Sequence, residues 1–374
     1  MKKLLLILIL LVPFGVKAEE MIIEAPSAIL MEYSTGKILY EKNVDEKMAP
    51  ASMTKIMTIL LIEEAIERGE LNLTDDVIIS NNASSMGGSQ VFLDPNTTLK
   101  VEDLLKSIII ASANDSAVAM AEKIAGTVDA FVNKMNERAK ELGCTNTNFV
   151  NVHGLDADNH YTTARDMAII ARELIKHDDI FNYTTIYESY LNKPDGTSIW
   201  MVNTNKLIKY YNGLDGLKTG FTKNAGYCLT STAKRNDMRL ISVIMKEETS
   251  QKRNEETTKL LDYGFTNYKI KTIVSTNDNI GSVYIFNSKK ENYDLSISGD
   301  ATNLESLNET NNYSYDINLD KVKAPLKVGD KIGTLDIISN GKIIKNIDIT
   351  IKEDVIKANI FDLMKRNLKL ILAL

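Results

Sequence analysis

The hydrophobic pattern of this chain changes its period once, at about residue 269, and that change restricts the possible architecture more than any composition figure. Before it, apolar residues recur at helical spacing in several segments, with a few strand-like runs between them. After it, KIKTIV, SVYIF, YDLSI, SYDINL, KIGTLDII and KIIKNIDITI alternate with Asn, Ser, Gly and Asp. Such runs read as short hairpin strands. A length of 374 residues exceeds what one hydrophobic core usually organises. The pattern therefore predicts a mixed body over residues 23–268 and a small all-β domain over 269–355.

Within the body, Ala28 to Glu41 reads as a hairpin turned at Gly36. Met53 to Arg68 reads as an apolar helix closed by Gly69. Helices follow over Val101 to Ala111, over SAVAMAEKIAG with Asp115 as its cap, and over Phe131 to Leu142. Another runs from Thr163 to His177, capped by Thr162 or Thr163. GYCLTSTA and RLISVIMK then read as adjacent strands joined at KRNDM, before a helix from Ser250 to Tyr263. Strands, helices, strands, helix is the order of a sheet with a helical block inserted into it.

Both ends carry targeting patterns. MKKLLLILILLVPFGVKAEE opens on Lys2 and Lys3, followed by a short apolar run and small residues at −3 and −1 of a cut after Ala18. That is a signal peptide over residues 1–18, and it predicts export. Cutting there removes three lysines and takes the formal charge from −6 to about −9, which argues against a nucleic-acid partner. Export permits a disulfide, but Cys144 lies in a turn and Cys228 in an apolar strand, so two unpaired thiols are expected. At the other end, residues 356–374 close on IFDLMKRNLKLILAL, with basic residues on one helical face and apolar ones on the other. This segment is about 22 Å long as a helix, too short to span a bilayer. An amphipathic helix of this kind is expected to lie in the membrane interface.

One lysine is out of place. In PASMTKIMT, Lys55 follows Ser52 by three residues and enters an apolar helix. Residues i and i+3 share a helix face, so the two side chains can meet. Burial lowers a lysine's pKa, and a neutral amine can take a serine's proton. S-x-x-K alone is weak, because the chain holds four copies, at Ser34, Ser52, Ser231 and Ser339. Only Ser52 opens an apolar helix. Two further elements follow in order: Ser112-Ala113-Asn114 between two helices, and Lys218-Thr219-Gly220, the single K-T-G, where a strand should begin.

With this trio the chain resembles the low-molecular-mass penicillin-binding proteins, the serine-type D-alanyl-D-alanine carboxypeptidases. MAPASMTKIMT, SIIIASANDSAVAMAE, NVHGLDADNHYTTARDMA and NGLDGLKTGFTKNAGYCL carry the likeness. The resemblance implies an α/β (α+β) serine β-lactamase-like domain with an antiparallel sheet. It implies removal of the terminal D-alanine from peptidoglycan stem pentapeptides through a serine acyl-enzyme, and covalent binding of β-lactams, outside the cell. It implies Ser52 as nucleophile, Lys55 as base and Ser112 as proton relay to the leaving amine. Asn114 would bond the substrate amide, and Lys218 would supply positive potential at the rim. Thr219 would bind the terminal carboxylate, and Gly220 would let substrate lie along the strand edge. The backbone N–H groups of Ser52 and Phe221 would form the oxyanion hole. No cofactor and no metal are implied.

The sequence departs from some relatives at Asn203-Thr204-Asn205, where an arginine would help hold the carboxylate. Either binding is weaker or another residue does this. His153, Asp156, Asp158 and His160 have metal-ligand residue types but no zinc or EF-hand spacing, and read as an Asx-rich loop ahead of a capped helix. A β-lactamase is the nearest rival, but its E-x-x-L-N has only Glu305 to Asn308 as a look-alike, in the β domain. An endopeptidase on peptide cross-links shares the same motifs, and a silent cell-wall-binding module is disfavoured by intact Ser52, Lys55 and Lys218.

Overall fold

The computed structural model describes residues 21–365. The expected signal peptide and the last nine residues of the expected amphipathic tail lie outside the described residues. The body is built on one antiparallel sheet. Its strands are β1 (Ser27–Glu32), β2 (Ile38–Lys42), β5 (Leu214–Thr222), β6 (Gly226–Arg235) and β7 (Met238–Glu247), in the spatial order β2-β1-β7-β6-β5. An outlying hairpin, β3 (Glu188–Asn192) with β4 (Ser198–Val202), precedes β5 and had no counterpart in the sequence reading.

The sheet is covered on both faces, which is why SAILME and MRLISVIMK are nearly unbroken apolar runs rather than alternating ones. On one side lies a helical block: α1 (Lys55–Glu67), α2 (Val101–Ile110), α3 (Asn114–Ala125), α4 (Val128–Glu141) and α5 (Ala164–Leu174). On the other lies α6 (Ser250–Asn267), one turn longer than expected and capped by the Thr249 hydroxyl. Gly264 is required there: a Cβ would stand 2.5 Å from Leu240 Cδ1, so only glycine lets α6 approach the sheet this closely. Helix α1 is buried on nearly every side from Lys55 to Ile62, as expected for a helix without a polar face.

Two caps fall differently from the expectation. Thr163 does cap α5, its hydroxyl accepting from Asp166 N–H. Asp115 does not cap α3, which begins at Asn114 with Ala113 ahead of it. The Asp115 carboxylate instead accepts from the backbone N–H groups of Val91 and Leu93, tying a loop to the helix. An acid in a first turn has two uses open to it, and the neighbouring loop supplied the better donors.

The second region is all β. Strands β9 (Ser282–Val283), β10 (Tyr293–Ile297), β12 (Tyr313–Leu319), β13 (Lys331–Ser339) and β14 (Lys342–Ile351) form a sheet ordered β9-β10-β14-β13-β12. β8 (Tyr268–Val274) pairs separately with β11 (Ala301–Ser306). Leu295, Ile297, Leu335, Ile337, Ile349 and Ile351 make its own core. Leu304 of β11 belongs to the core between α6 and the first sheet instead, so the two regions share a packed seam. Cys144 and Cys228 are both buried and unpaired. No described helix is long and apolar enough to cross a membrane.

Candidate active site

The three motifs meet. Ser52, Ser112, Thr219 and Gly220 line one cavity of about 390 Å³, together with Thr204, Phe221 and Arg253. Ser52 lies in the short turn Ala51–Thr54, which leads from Pro50 into α1. No side chain caps that turn. The Ser52 hydroxyl is therefore not spent on the backbone, and its partner is the Lys55 amine at 3.1 Å.

Lys55 is fully buried and makes two shorter contacts, to Asn114 Oδ1 at 2.6 Å and to the His153 carbonyl at 2.7 Å. Both of these partners only accept. Charged, the amine donates to all three oxygens; neutral, its two hydrogens go to the two carbonyls and its lone pair is left for the Ser52 hydroxyl. Burial drives the Lys55 pKa well below its ordinary value, the charge of Lys218 lowers it further, and Asp115 opposes both. Asn114 cannot be flipped: Nδ2 donates to the Gly87 carbonyl at 2.7 Å, which leaves Oδ1 for the lysine. The Asn114 amide expected on the substrate is thus first of all the group that aims Lys55.

The loop over residues 150–160 holds the turn from behind. Ala51 adopts φ +47°, a left-handed conformation that costs a non-glycine residue free energy. The Thr54 hydroxyl fixes it by donating to the Ala51 carbonyl at 2.8 Å. Having spent its hydrogen there, Thr54 Oγ1 accepts from His160 Nε2 at 2.8 Å, while His160 Nδ1 accepts from Val150 N–H. Gly154 presses on the same carbonyl, since a Cβ there would lie 1.8 Å from Ala51 O. Two of the residues with metal-like types therefore back the Ser52 turn and α1, His153 through its carbonyl on Lys55 and His160 through Thr54, while Asp156 accepts from Thr222 Oγ1 on the edge strand.

Ser112 takes φ +61° in the turn between α2 and α3, and its buried Oγ has no hydrogen-bond partner among the described residues. Across the cavity runs β5, the edge strand. At Gly220 a Cβ would meet Pro50 O at 2.9 Å, Ala51 Cβ at 3.0 Å and Ser52 N at 3.2 Å. The bare backbone lets the turn that carries Ser52 lie against the strand. Phe221, the next residue, is exposed and stacks on Tyr227 with centroids 4.3 Å apart.

The expected rim position of Lys218 is corrected. It is 1% exposed, with Nζ donating to the Thr219 carbonyl at 3.1 Å, and burial lowers its pKa to about 7. The strand is covered on both faces there, so Gly216 to Gly220 are buried in succession, Lys218 among them. Thr219 Oγ1 donates to Thr204 Oγ1 at 2.7 Å, so the threonine in the N-x-N run does face the site. A buried cation does border the cavity: Arg253 on α6, which the sequence reading did not single out. Arg253 is 5% exposed, and burial lowers its pKa to about 10. Its guanidinium donates to Asn254 Oδ1, and no carboxylate among the described residues pairs with it.

Residues 15–249 match the D-alanyl-D-alanine carboxypeptidase family, and residues 268–357 match the C-terminal domain of penicillin-binding protein 5. The chain belongs to the D-alanyl-D-alanine carboxypeptidase family. It is a serine hydrolase of the low-molecular-mass penicillin-binding group. The D-alanyl-D-alanine carboxypeptidase DacF of Bacillus subtilis is 43% identical over 95% of this chain and 92% of that one. DacA of Escherichia coli is 36% identical over 91% and 85%. The crystal structure of penicillin-binding protein 5 from Haemophilus influenzae superposes with a TM-score of 0.73 at 33% identity, covering 91% of this chain and 99% of that one.

Arg253 carried no signal in SQKRNEETTKLL, where it reads as one more charge on a polar helix. Only the docking of α6 against β6 and β7 buries it beside the cavity. The support from His160 and Thr54 was equally hidden, because its partners are 106 residues apart.

Proposed function

We propose that Ser52 is the nucleophile of a D-alanyl-D-alanine carboxypeptidase acting on peptidoglycan stem peptides, with Lys55 as its base. The observation that carries this is the fully buried Lys55 amine, held 3.1 Å from Ser52 Oγ by two carbonyl acceptors. The Ser52 proton passes to Lys55 as Oγ attacks the carbonyl between the last two D-alanines. The N–H groups of Ser52 and Phe221 receive the developing oxyanion. As the C–N bond breaks, the proton is relayed from Lys55 through Ser112 to the leaving amine, and free D-alanine departs. Water then attacks the ester, giving its proton to Lys55, and the acid and Ser52 are released. The unpartnered Ser112 hydroxyl suits a relay that engages only when substrate is present.

The terminal carboxylate is bound by Thr219, with Arg253 contributing the charge. A β-lactam presents an acyl bond and a carboxylate at matching positions and acylates the same serine. Export and attachment at the outer face of the cytoplasmic membrane rest on the N-terminal signal pattern and the amphipathic tail. Labelling with a fluorescent penicillin tests the nucleophile: the wild type should carry a covalent adduct and Ser52→Ala none. Release of D-alanine from a D-Ala-D-Ala peptide should be lost in the same variant. Activity on a cross-linked dimer in place of that peptide would redirect the assignment to an endopeptidase.

A further inference from the structure

The β domain gathers an exposed apolar and basic surface where the amphipathic tail begins. Three segments are joined by backbone pairing at that end. Ala324 N–H donates to the Phe286 carbonyl, Leu326 pairs with Val355, and Lys289 N–H donates to the Ile356 carbonyl. Phe286, Val328 and Ile356 are each about 60% exposed there. Residues 286–290, 321–328 and 352–357 carry seven lysines and only two carboxylates, Glu353 and Asp354, in a chain whose net charge is −6. Both carboxylates are already engaged, by Lys290 and Lys327. The helical turn over residues 360–365 follows directly, with Ile360, Phe361 and Met364 exposed.

We propose that this end of the β domain is itself a membrane-contact surface for an anionic bilayer. Phe286, Val328 and Ile356 enter the headgroup boundary, and Lys289, Lys323 and Lys357 lie over lipid phosphates. Bulky apolar side chains this exposed, ringed by cations and continuous with an amphipathic tail, suit an interface that is apolar below and anionic above. A tail alone leaves the domain free to tilt. A second contact fixes its orientation on the bilayer. The inference rests on the proposed membrane attachment of the tail and extends it.

The test is flotation of the full-length protein with vesicles of phosphatidylcholine alone or mixed with phosphatidylglycerol. The triple variant Lys289→Gln, Lys323→Gln, Lys357→Gln should lose on the order of a hundredfold in partitioning onto the anionic vesicles, and little on the neutral ones. Phe286→Ser with Ile356→Ser should lose about tenfold on both. Penicillin labelling in solution should be unchanged in each variant, which shows that they fold. If the variants float as the parent does, while Ile360→Ser with Phe361→Ser prevents flotation, the tail is the whole anchor and this surface is not one. A parent that binds neither vesicle overturns the attachment of the tail as well.

Discussion

In the proposed mechanism the chemistry turns on one buried amine. Lys55 faces two carbonyls and one hydroxyl, and burial lowers its pKa, which favours the neutral form that takes the Ser52 proton. Arginine cannot fill this role, because a guanidinium stays protonated at any pH the fold survives. Lys55→Arg should lower the second-order rate of acylation by a fluorescent penicillin by about 10²–10⁴-fold, the usual worth of a general base. In the wild type that rate should rise with pH on the acid side as Lys55 loses its proton, and the rise should be missing in the variant. A variant that keeps both rate and profile would remove Lys55 from the reaction. At this scale the sequence was informative: Ser52, Lys55, Ser112, Thr219 and Gly220 all line or adjoin one cavity. It was silent on Arg253, because a buried arginine and a solvated one look alike in a polar helix.

At the scale of elements, the decisive contact is between the edge strand β5 and the turn ahead of α1. Gly220 leaves the room that Pro50, Ala51 and Ser52 occupy, with the nearest atom 2.9 Å from where a Cβ would be. Gly220→Ala should therefore push the turn off the strand and carry Ser52 out of line with the strand N–H groups. We expect acylation to fall by at least tenfold while urea unfolding shifts by only about 1–3 kcal/mol, the typical cost of overpacking. An unfolding shift with full acylation would mean that the turn tolerates displacement. That K-T-G follows a strand was readable. That its glycine serves the nucleophile's own turn was not, because the two elements are more than 160 residues apart.

For the whole molecule, two histidines couple stability to pH. His153 and His160 each accept a backbone N–H at Nδ1, from Leu155 and from Val150, so the folded protein needs both rings neutral. Burial lowers both pKa values from 6.5 to about 4. Between those values the unfolded chain binds protons that the folded one refuses, so stability falls as pH drops from 6.5 towards 4. The loss is about 3 kcal/mol per histidine by pH 4. Glu63, raised by burial to about 7, titrates over the same range with the opposite sign, so the test is the difference between wild type and His160→Gln in urea titrations. That difference should change by about 3 kcal/mol between pH 6.5 and pH 4, and a constant difference would mean that His160 is not a titrating group. What the sequence by itself determined is periodic or local: the change of period at residue 269, the nearly unbroken apolar strands, and three short motifs that carry the resemblance to a known family. The tertiary structure decided what depends on distant neighbours. It buried Lys218 instead of leaving it at the rim, turned Asp115 from a cap into a loop clamp, and brought Arg253 to the cavity. Burial and hydrogen-bond partnership are set by which surfaces are pressed together, and no local pattern records what will lie across the interface.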